Sequence, residues 1–426
     1  NIYLTSLQTP FELHTALFQT GKTLGFIFQG TVAFNTGPHL FIDMSGTRLS
    51  SVNINLLHLE DPGVSDAQVT IEKNRQTLLF DFKGHLETPS LDRILKPGSF
   101  LEKQLHRLTE NQPVVIHTDA DNLLNIHVQT LDLNALTAST ELSLTPHLLT
   151  KNLINFNAQK IKFKTLCFTD VNTSISFKKD HSYIRLKSAD LCGINYRGYI
   201  NIKDGNVYVD LPFAAEDSDN IQPLLSCLLK KENFMDGAYS LSGDLLAKGV
   251  PTEKINRGME GSLVFDARQG RIYTLTLLSR ILSVLNVSNV FKGNVPDVTQ
   301  KGFAYKKITI KADIKNSVIH LTHAIIDGQD MAMIFSGQID PVNDRIDLTC
   351  LVAPFKTVDL IIEKIPIIST LLGGRLVSVP VKASGKLSDP SVFPLHPSAV
   401  GKGLIDMMST ILKTPITLWE KMAGEQ

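Results

Sequence analysis

The residues that could do chemistry in this 426-residue chain are few and scattered. His117, Asp119 and Asp121 alternate along one stretch, so on a strand their side chains share a face and could hold a divalent ion. A solvated outer face explains these residues with fewer assumptions, and we predict no metal site. His320 and His323 are three positions apart on a predicted strand, which points them to opposite faces and excludes a shared ligand role.

The sequence carries none of the common catalytic motifs. It has no G-x-S-x-G, no H-E-x-x-H and no dinucleotide-binding glycine fingerprint that opens a helix. The run Gly21, Lys22, Thr23 matches the end of a phosphate-binding loop, but Ala16 stands where the loop requires its first glycine. We therefore predict no cofactor and no enzymatic activity, although active-site partners can also lie far apart in sequence.

The four cysteines are Cys167, Cys192, Cys227 and Cys350. They form no C-x-x-C pair and no histidine-spaced group, so a zinc site is not expected. In an oxidising compartment Cys192 and Cys227 could pair, which would stabilise the fold by roughly 3 to 4 kcal/mol in the chain-entropy model. The alternative is that all four are small buried hydrophobic residues.

Charge and composition exclude several classes of protein. Lys plus Arg and Asp plus Glu both number 42, so the chain has no basic excess and we predict no nucleic-acid partner. Hydrophobic residues make up 43% and charged residues 20%, which is typical of a folded protein. The longest apolar stretches, 274–291 and 358–372, are interrupted by charged residues and do not predict a membrane-spanning helix. The chain begins at Asn1 without a signal-peptide pattern, so we expect any signal or anchor to lie upstream.

The elements that must position these residues are mainly β-strands. Ile308, Ile310 and Ala312 alternate with polar residues, and the same period of two recurs through most of the chain. The turn-forming cluster at 340–344 is short enough to join neighbouring antiparallel strands. We therefore predict a β-rich fold built around a long antiparallel sheet.

A glycine recurs at an apolar position within these alternating runs. Glycine inside a strand usually marks a sharp bend or a close approach to the backbone, so the repeat predicts a strongly curved sheet with an apolar concave side. That side could form an open groove, or helices or a second sheet could fill it. The residues predicted to line the groove are Phe80, Phe82, Gly84, Tyr196, Gly198, Leu241, Gly243, Met333, Phe335, Gly337, Ile339, Val381, Gly385 and Leu387.

A few amphipathic helices are expected between the strands. One has Pro223 in its first turn, and a shorter one contains Leu101 and Leu105. The segment from 274 has only a narrow polar stripe, so its helix must be covered on most of its circumference. The segment 358–372 also has a helical apolar face, which Pro366 should kink or split.

The carboxyl-terminal stretch predicts one more helix with an apolar face. Val400, Leu404, Met407 and Ile411 lie on that face, and Trp419, the only tryptophan, follows it. Tryptophan is common at membrane interfaces, so we predict that these residues contact a membrane or a partner. The alternative is that the helix docks against the sheet of its own chain.

Short motifs follow one another from residue 191 to the end of the chain. In this order and spacing they resemble the carboxyl-terminal region of AsmA-like proteins, and more closely the YhdP-type branch related to TamB. The motifs are Leu191, Cys192, Gly193; Ser226, Cys227, Leu228; Gly270, Arg271, Ile272; Lys301, Gly302, Phe303, Ala304, Tyr305; Ala353, Pro354, Phe355, Lys356, Thr357, Val358, Asp359; Ile365, Pro366; Ser388, Asp389, Pro390; and Pro397, Ser398, Ala399, Val400, Gly401.

The resemblance implies a long β-sheet folded into an apolar groove that crosses the periplasm of a Gram-negative bacterium. It implies an inner-membrane anchor at the missing amino end, phospholipids as cargo, and the outer membrane or one of its proteins at the carboxyl end. Residues 1–165 are then a β-rich groove segment, 166–397 an AsmA-like groove with inserted helices, and 398–426 an amphipathic terminal helix.

The alternation of apolar residues and the family resemblance both lead us to expect non-enzymatic binding or transport of phospholipid. An acyl chain of about 15 methylenes costs roughly 12 kcal/mol to expose to water, and an apolar groove removes most of that cost. Inward glycines would leave room for lipid tails. The alternative is a structural or assembly protein of the outer membrane with a closed core and a partner-docking terminal helix. An extended β enzyme acting on polysaccharide ranks last, because aromatic residues make up only 7%.

Overall fold

The computed structural model is mainly β, which confirms the predicted β-rich fold, and its strands are joined by a few helices. Contacts divide the chain into two compact units: unit 1 holds residues 1–191 and 195–211, and unit 2 holds residues 192–194 and 212–426. The predicted domain boundary at 165 thus lies inside unit 1. The structure describes residues 12–20, 23–33, 38–48, 51–73, 78–94, 100–121, 123–135, 148–150, 153–178, 181–203, 206–230, 232–249, 258–273, 276–287, 302–329, 331–354 and 378–413.

The strands of unit 1 occupy most of its described residues. They are β1 (Glu12–Thr20), β2 (Thr23–Ala33), β3 (His39–Arg48), β4 (Ser51–Asp61), β5 (Ser65–Lys73), β6 (Leu78–Glu87), β7 (Val114–Thr118), β8 (Leu124–Asp132), β9 (Leu148–Thr150), β10 (Ile154–Phe163), β11 (Leu166–Phe177) and β12 (His181–Leu191). Two further strands, β13 (Ile194–Lys203) and β14 (Asn206–Ser218), contain residues of both units.

Strand pairing in unit 1 follows chain order with two exceptions. Each strand from β1 to β8 pairs antiparallel with the next, and β10, β11 and β12 continue in the same way. The exceptions are β10, which runs parallel to β8, and the short strand β9, which runs parallel to β6. The register places Leu124, Ile126 and Val128 opposite Ile154, Phe156 and Ala158. Apolar residues from neighbouring strands therefore share one face of the sheet.

Unit 2 is an antiparallel meander in which each strand pairs with the next along the chain. The predicted turn at 340–344 joins two of these strands, with Asp340 opposite Arg345 and the backbone amide of Asn343 donating to the Asp340 carboxylate at 3.0 Å. The strands are β15 (Ala238–Gly249), β16 (Met259–Ile272), β17 (Phe303–Lys315), β18 (Val318–Gly328), β19 (Met331–Asp340), β20 (Arg345–Pro354), β21 (Val379–Lys386) and β22 (Pro390–Pro394).

The helices are short; α1 to α4 lie between strands, and α5 follows the last described strand. Pro223 stands in the first turn of α3, and Lys230 ends that helix in the left-handed conformation. The predicted helix at 358–372 falls outside the described residues. The helices are α1 (Thr88–Ile94) and α2 (Phe100–Thr109) in unit 1, and α3 (Gln222–Leu229), α4 (Thr276–Val287) and α5 (Lys402–Lys413) in unit 2.

Two of the recurring glycines show why the sequence uses this residue inside strands. Gly84 has φ +110° and Gly337 has φ +134°, values that other residues rarely adopt. A Cβ at Gly84 would lie 2.0 Å from the Asp66 carbonyl oxygen, and one at Gly337 would lie 2.2 Å from the Asp347 carbonyl oxygen. The neighbouring strand therefore fills the space that was expected to admit lipid tails. The strong curvature of the sheet stays a prediction.

Candidate functional site

One face of unit 1 carries a continuous row of apolar side chains, which we call the apolar stripe. It consists of three clusters that share members: Leu86 joins the first to the second, and Ile116 and Ile126 join the second to the third. The buried centres of the clusters are Ile42, Leu59 and Ile94; Ala67, Phe82 and Leu124; and Val114, Val128, Ala158, Val171 and Ala189.

The stripe runs across the strands rather than along them. Its strand members come from β3 to β12, with Tyr196 in β13, and the eight strand spacings of about 4.8 Å from β3 to β12 give a length of roughly 38 Å. Toward β12 its large side chains, including Phe156, Phe168, Leu186 and Tyr196, are only half-buried. This end of unit 1 therefore presents apolar surface that the chain does not fully cover.

Helices α1 and α2 lie against the stripe. Ile94 of α1 packs in the first cluster, and Leu105 of α2 packs against the third. Both helices belong to the connection between β6 and β7, so this connection lies on the apolar face of the sheet.

A buried polar network holds α1 to the sheet. The Asp61 carboxylate is 3% exposed and accepts hydrogen bonds from Arg93 Nη1 at 3.0 Å and Ser90 Oγ at 2.9 Å. Ser65 Oγ lies 2.6 Å from Ser90 Oγ. Charge-assisted hydrogen bonds of this kind are stronger than neutral ones, so the network fixes the position of α1.

An ion pair holds the other end of this connection. Lys162 Nζ on β10 donates to both carboxylate oxygens of Glu110, at 2.6 and 2.8 Å, just beyond the end of α2. The hydrogen bond with Glu110 raises the pKa of Lys162. The α1–α2 connection is thus fastened to the sheet near both of its ends.

Unit 2 differs from unit 1 because the part of its apolar face around Met333, Phe335 and Val381 is closed. Met333 and Val381, both predicted groove residues, are 0% exposed, and Phe335 is buried beside them. Helix α4 packs against β21 and β22, and its Ile281 and Leu285 are also 0% exposed. These side chains form a packed core in unit 2 and not an open groove.

Arg280 fastens α4 to the edge of the same sheet. Its guanidinium donates to the backbone carbonyl of Pro390 and pairs with the carboxylate of Asp389. Since Pro390 is buried, this contact lies at the margin of the packed core.

The remaining predicted groove residues have diverse environments. Phe82 is buried in the stripe, and Tyr196 is half-buried at its β12 end. Leu387 is exposed in the bend after β21, so it does not line an apolar face. Phe80 lies in β6, but its side chain is outside the described residues. Gly198, Leu241, Gly243 and Ile339 are half-buried strand residues, and Gly385 is exposed at the end of β21.

The apolar face of α5 packs on the sheet of its own unit. Val400 and Leu404 join Ile334 and Leu351 in one cluster, together with Met408, which the sequence analysis did not single out. For Val400 and Leu404 this arrangement corresponds to the alternative prediction, in which the helix docks against the sheet of its own chain and does not contact a membrane or a partner. Met407 is partly buried at the edge of the cluster, Ile411 lies in α5 with its side chain outside the described residues, and Trp419 lies outside them altogether.

A disulfide joins Cys192 and Cys227, the pair named from the sequence. It links the turn after β12 to helix α3. Cys350 is buried, and burial raises the pKa of its thiol, whereas Cys167 is exposed. The alternative that all four cysteines are buried thiols is therefore wrong.

Replacing both cysteines of this disulfide with serine is expected to lower the free energy of unfolding by about 4 kcal/mol, because the bond closes a separation of 35 residues. Urea denaturation of the oxidised chain measures this difference. Cys167→Ser, at an exposed free thiol, is the control and should change stability by less than about 0.5 kcal/mol. A double variant as stable as the parent would show that the bond does not contribute.

The polar residues first considered for metal binding have structural roles. Asp119 accepts hydrogen bonds from the backbone amides of Asp121 and Leu123, at 3.0 and 2.9 Å, in the turn between β7 and β8. The hydrogen bond from the Leu123 amide is the main reason that the pKa of Asp119 is lowered. His117 stacks on His127 with ring centroids 5.2 Å apart. Within the described ranges, no three His, Cys, Asp or Glu side chains are grouped to hold a metal ion.

None of the helices in the described part of the chain has both the length and the apolar character needed to cross a membrane.

Comparison with known proteins gives one match. Residues 193–393 match the family model described as YhdP protein. No curated protein and no solved structure matches the chain. The matched range covers most of unit 2, whereas the apolar stripe lies in unit 1, almost entirely before it.

Proposed function

Residues 193–393 belong to the YhdP family, as the resemblance of the sequence predicted, and from this premise we propose that the chain binds phospholipid through unit 1. The acyl chains lie along the apolar stripe and the headgroup stays in water. No covalent chemistry is involved, so this function is binding or transport and not catalysis.

The partly exposed end of the stripe is the observation that carries this proposal. Each methylene that leaves water on contact with Phe156, Phe168, Leu186 or Tyr196 gains about 0.8 kcal/mol. Helices α1 and α2 lie on other parts of the stripe, so the proposed lipid contact is at this partly exposed end.

The closed core of unit 2 supports a different role for that part of the chain. Met333, Val381 and the α4 residue Ile281 have no exposed surface to offer a lipid. We therefore assign acyl-chain contact to unit 1 and a supporting role to unit 2. A structural or assembly protein is the second candidate function, and this closed core is the observation that favours it.

The cell envelope is the compartment that this function requires. The Cys192–Cys227 disulfide supports an oxidising compartment such as the periplasm. An inner-membrane anchor upstream of Asn1 and an outer-membrane partner near the carboxyl end complete the proposal, as the family resemblance implies.

Site-specific photo-crosslinking in cells tests the proposal. A photoreactive residue at Phe156 or Leu186, on the stripe, should give phospholipid adducts that mass spectrometry identifies. The same residue at Gln68 or Lys187, whose side chains lie on the opposite face, should give few. Equal yields on both faces, or no adducts on the stripe, would contradict lipid binding by unit 1.

A further inference from the structure

The face of unit 1 opposite the apolar stripe carries a groove between two rows of polar side chains. In the first row the register places Asn157 opposite Asn172 and Asn172 opposite Ser188. Gln129 and Gln159 belong to the second row. The groove has a volume of about 600 Å³, and we call it the amide groove. It crosses β7, β8, β10, β11 and β12, over about 19 Å.

One atom of the amide groove lacks a hydrogen-bond partner. Asn172 Oδ1 is buried, and nothing in the described part of the chain donates to it. A buried polar atom without a partner costs free energy, so this oxygen favours a donor that comes from outside the chain.

The charges of the amide groove restrict the kind of ligand. Its lining contains no lysine or arginine, and Asp170 contributes a carboxylate. Desolvation, together with the nearby His117, lowers the pKa of His127 at one end of the groove, so that imidazole is neutral at pH 7. Phosphates and other anions therefore find no counter-charge here, and a neutral ligand that donates and accepts hydrogen bonds fits best.

The shape of the amide groove favours a linear ligand that is not a peptide. Extended peptides usually bind by pairing with a free sheet edge, but the floor of this groove is the middle of a paired sheet, at Val128, Ala158 and Val171. Its polar groups are side chains that repeat at the strand spacing. Hydroxyl and acetamido groups along a sugar chain can satisfy such a row.

We propose that the amide groove binds a neutral, N-acetylated polysaccharide strand. Sugar hydroxyl and acetamido groups donate to Asn172 Oδ1 and exchange hydrogen bonds with Asn157, Gln129 and Gln159. Because the groove and the apolar stripe lie on opposite faces of the sheet, the chain can hold a glycan and a lipid at the same time.

Titration of the whole chain with tetra-N-acetylchitotetraose tests this proposal, with calorimetry as the readout. Saturable binding is expected, and it should weaken about tenfold or more in the Asn157→Ala, Gln159→Ala double variant, since each lost hydrogen bond costs severalfold in affinity. Gln68→Ala, at an exposed glutamine on the same face but outside the groove, should bind as the parent does. The Gln159→Ala single variant, at an exposed position, provides the same comparison if the double variant does not fold.

Absence of saturable binding would overturn the proposal, and so would a double variant that binds as the parent does. An equal loss in Gln68→Ala would also overturn it, because binding would then not depend on the amide groove. Lipid adducts at Leu186 should be unchanged in all these variants, so a failure of glycan binding is distinguishable from a failure of lipid binding.

Discussion

Phe156→Asp is expected to reduce the yield of phospholipid adducts from a photoreactive residue at Leu186 by about tenfold or more. Phe156 and Leu186 lie in the same part of the stripe, where both are half-buried. A carboxylate at this position would have to lose its hydration when an acyl chain covers it, and desolvating an unpaired charge costs several kcal/mol. One such penalty is enough for a tenfold loss of adducts, since about 1.4 kcal/mol changes a binding affinity by a factor of ten.

A matched control separates this effect from a general effect of charge. Gln159→Asp introduces the same carboxylate three residues along β10, on the opposite face, and should leave the yield at Leu186 within about twofold of the parent. Thermal unfolding of both variants shows whether each retains its fold, and Phe156→Ala serves if the aspartate variant does not. A yield that Phe156→Asp leaves unchanged would mean that the stripe does not contact lipid.

Asp61→Ala is expected to lower the free energy of unfolding of unit 1 by about 2 to 3 kcal/mol. The substitution removes a carboxylate that is 3% exposed and accepts hydrogen bonds from Arg93 and Ser90. Breaking a buried ion pair typically costs about 3 to 5 kcal/mol, but the Arg93 side chain is 32% exposed and can regain water, which reduces the loss. Urea denaturation of the whole chain measures the change.

The neighbouring carboxylate of Asp66 provides the control for this prediction. Asp66 pairs with His58 at 2.7 Å, but its side chain is 74% exposed. Exposed pairs contribute about 0 to 1 kcal/mol, so Asp66→Ala should have a small effect. Losses of similar size in the two variants would mean that the polar network under α1 does not stabilise unit 1.

The sequence was sufficient to predict the strands and helices and many of the elements that lie next to them. Alternation of apolar residues predicted the strands, and the narrow polar stripe of the segment from 274 predicted that α4 would be covered. Such patterns depend on a few neighbouring residues, so they can be read without knowing the rest of the fold. The glycines were also correctly placed inside strands, although a neighbouring carbonyl, and not a lipid tail, explains Gly84.

The sequence could not show which apolar face is covered. Met333 and Ile126 show the same alternation, yet Met333 lies in a closed core and Ile126 on a partly open stripe. Coverage depends on elements that come from elsewhere in the chain: α4, for example, packs against β21 and β22, which are distant from it in sequence. For the same reason the recurring glycine pattern indicated two aromatic residues of the stripe, Phe82 and Tyr196, but not Phe156 or Leu186.

Native mass spectrometry of the whole chain, prepared without detergent, tests most directly whether the stripe binds lipid. The parent protein should carry phospholipid as a bound mass, and a Phe156→Asp, Leu186→Asp double variant that remains folded should carry little or none. A parent protein without bound lipid, or a double variant that retains as much lipid as the parent, would contradict this account.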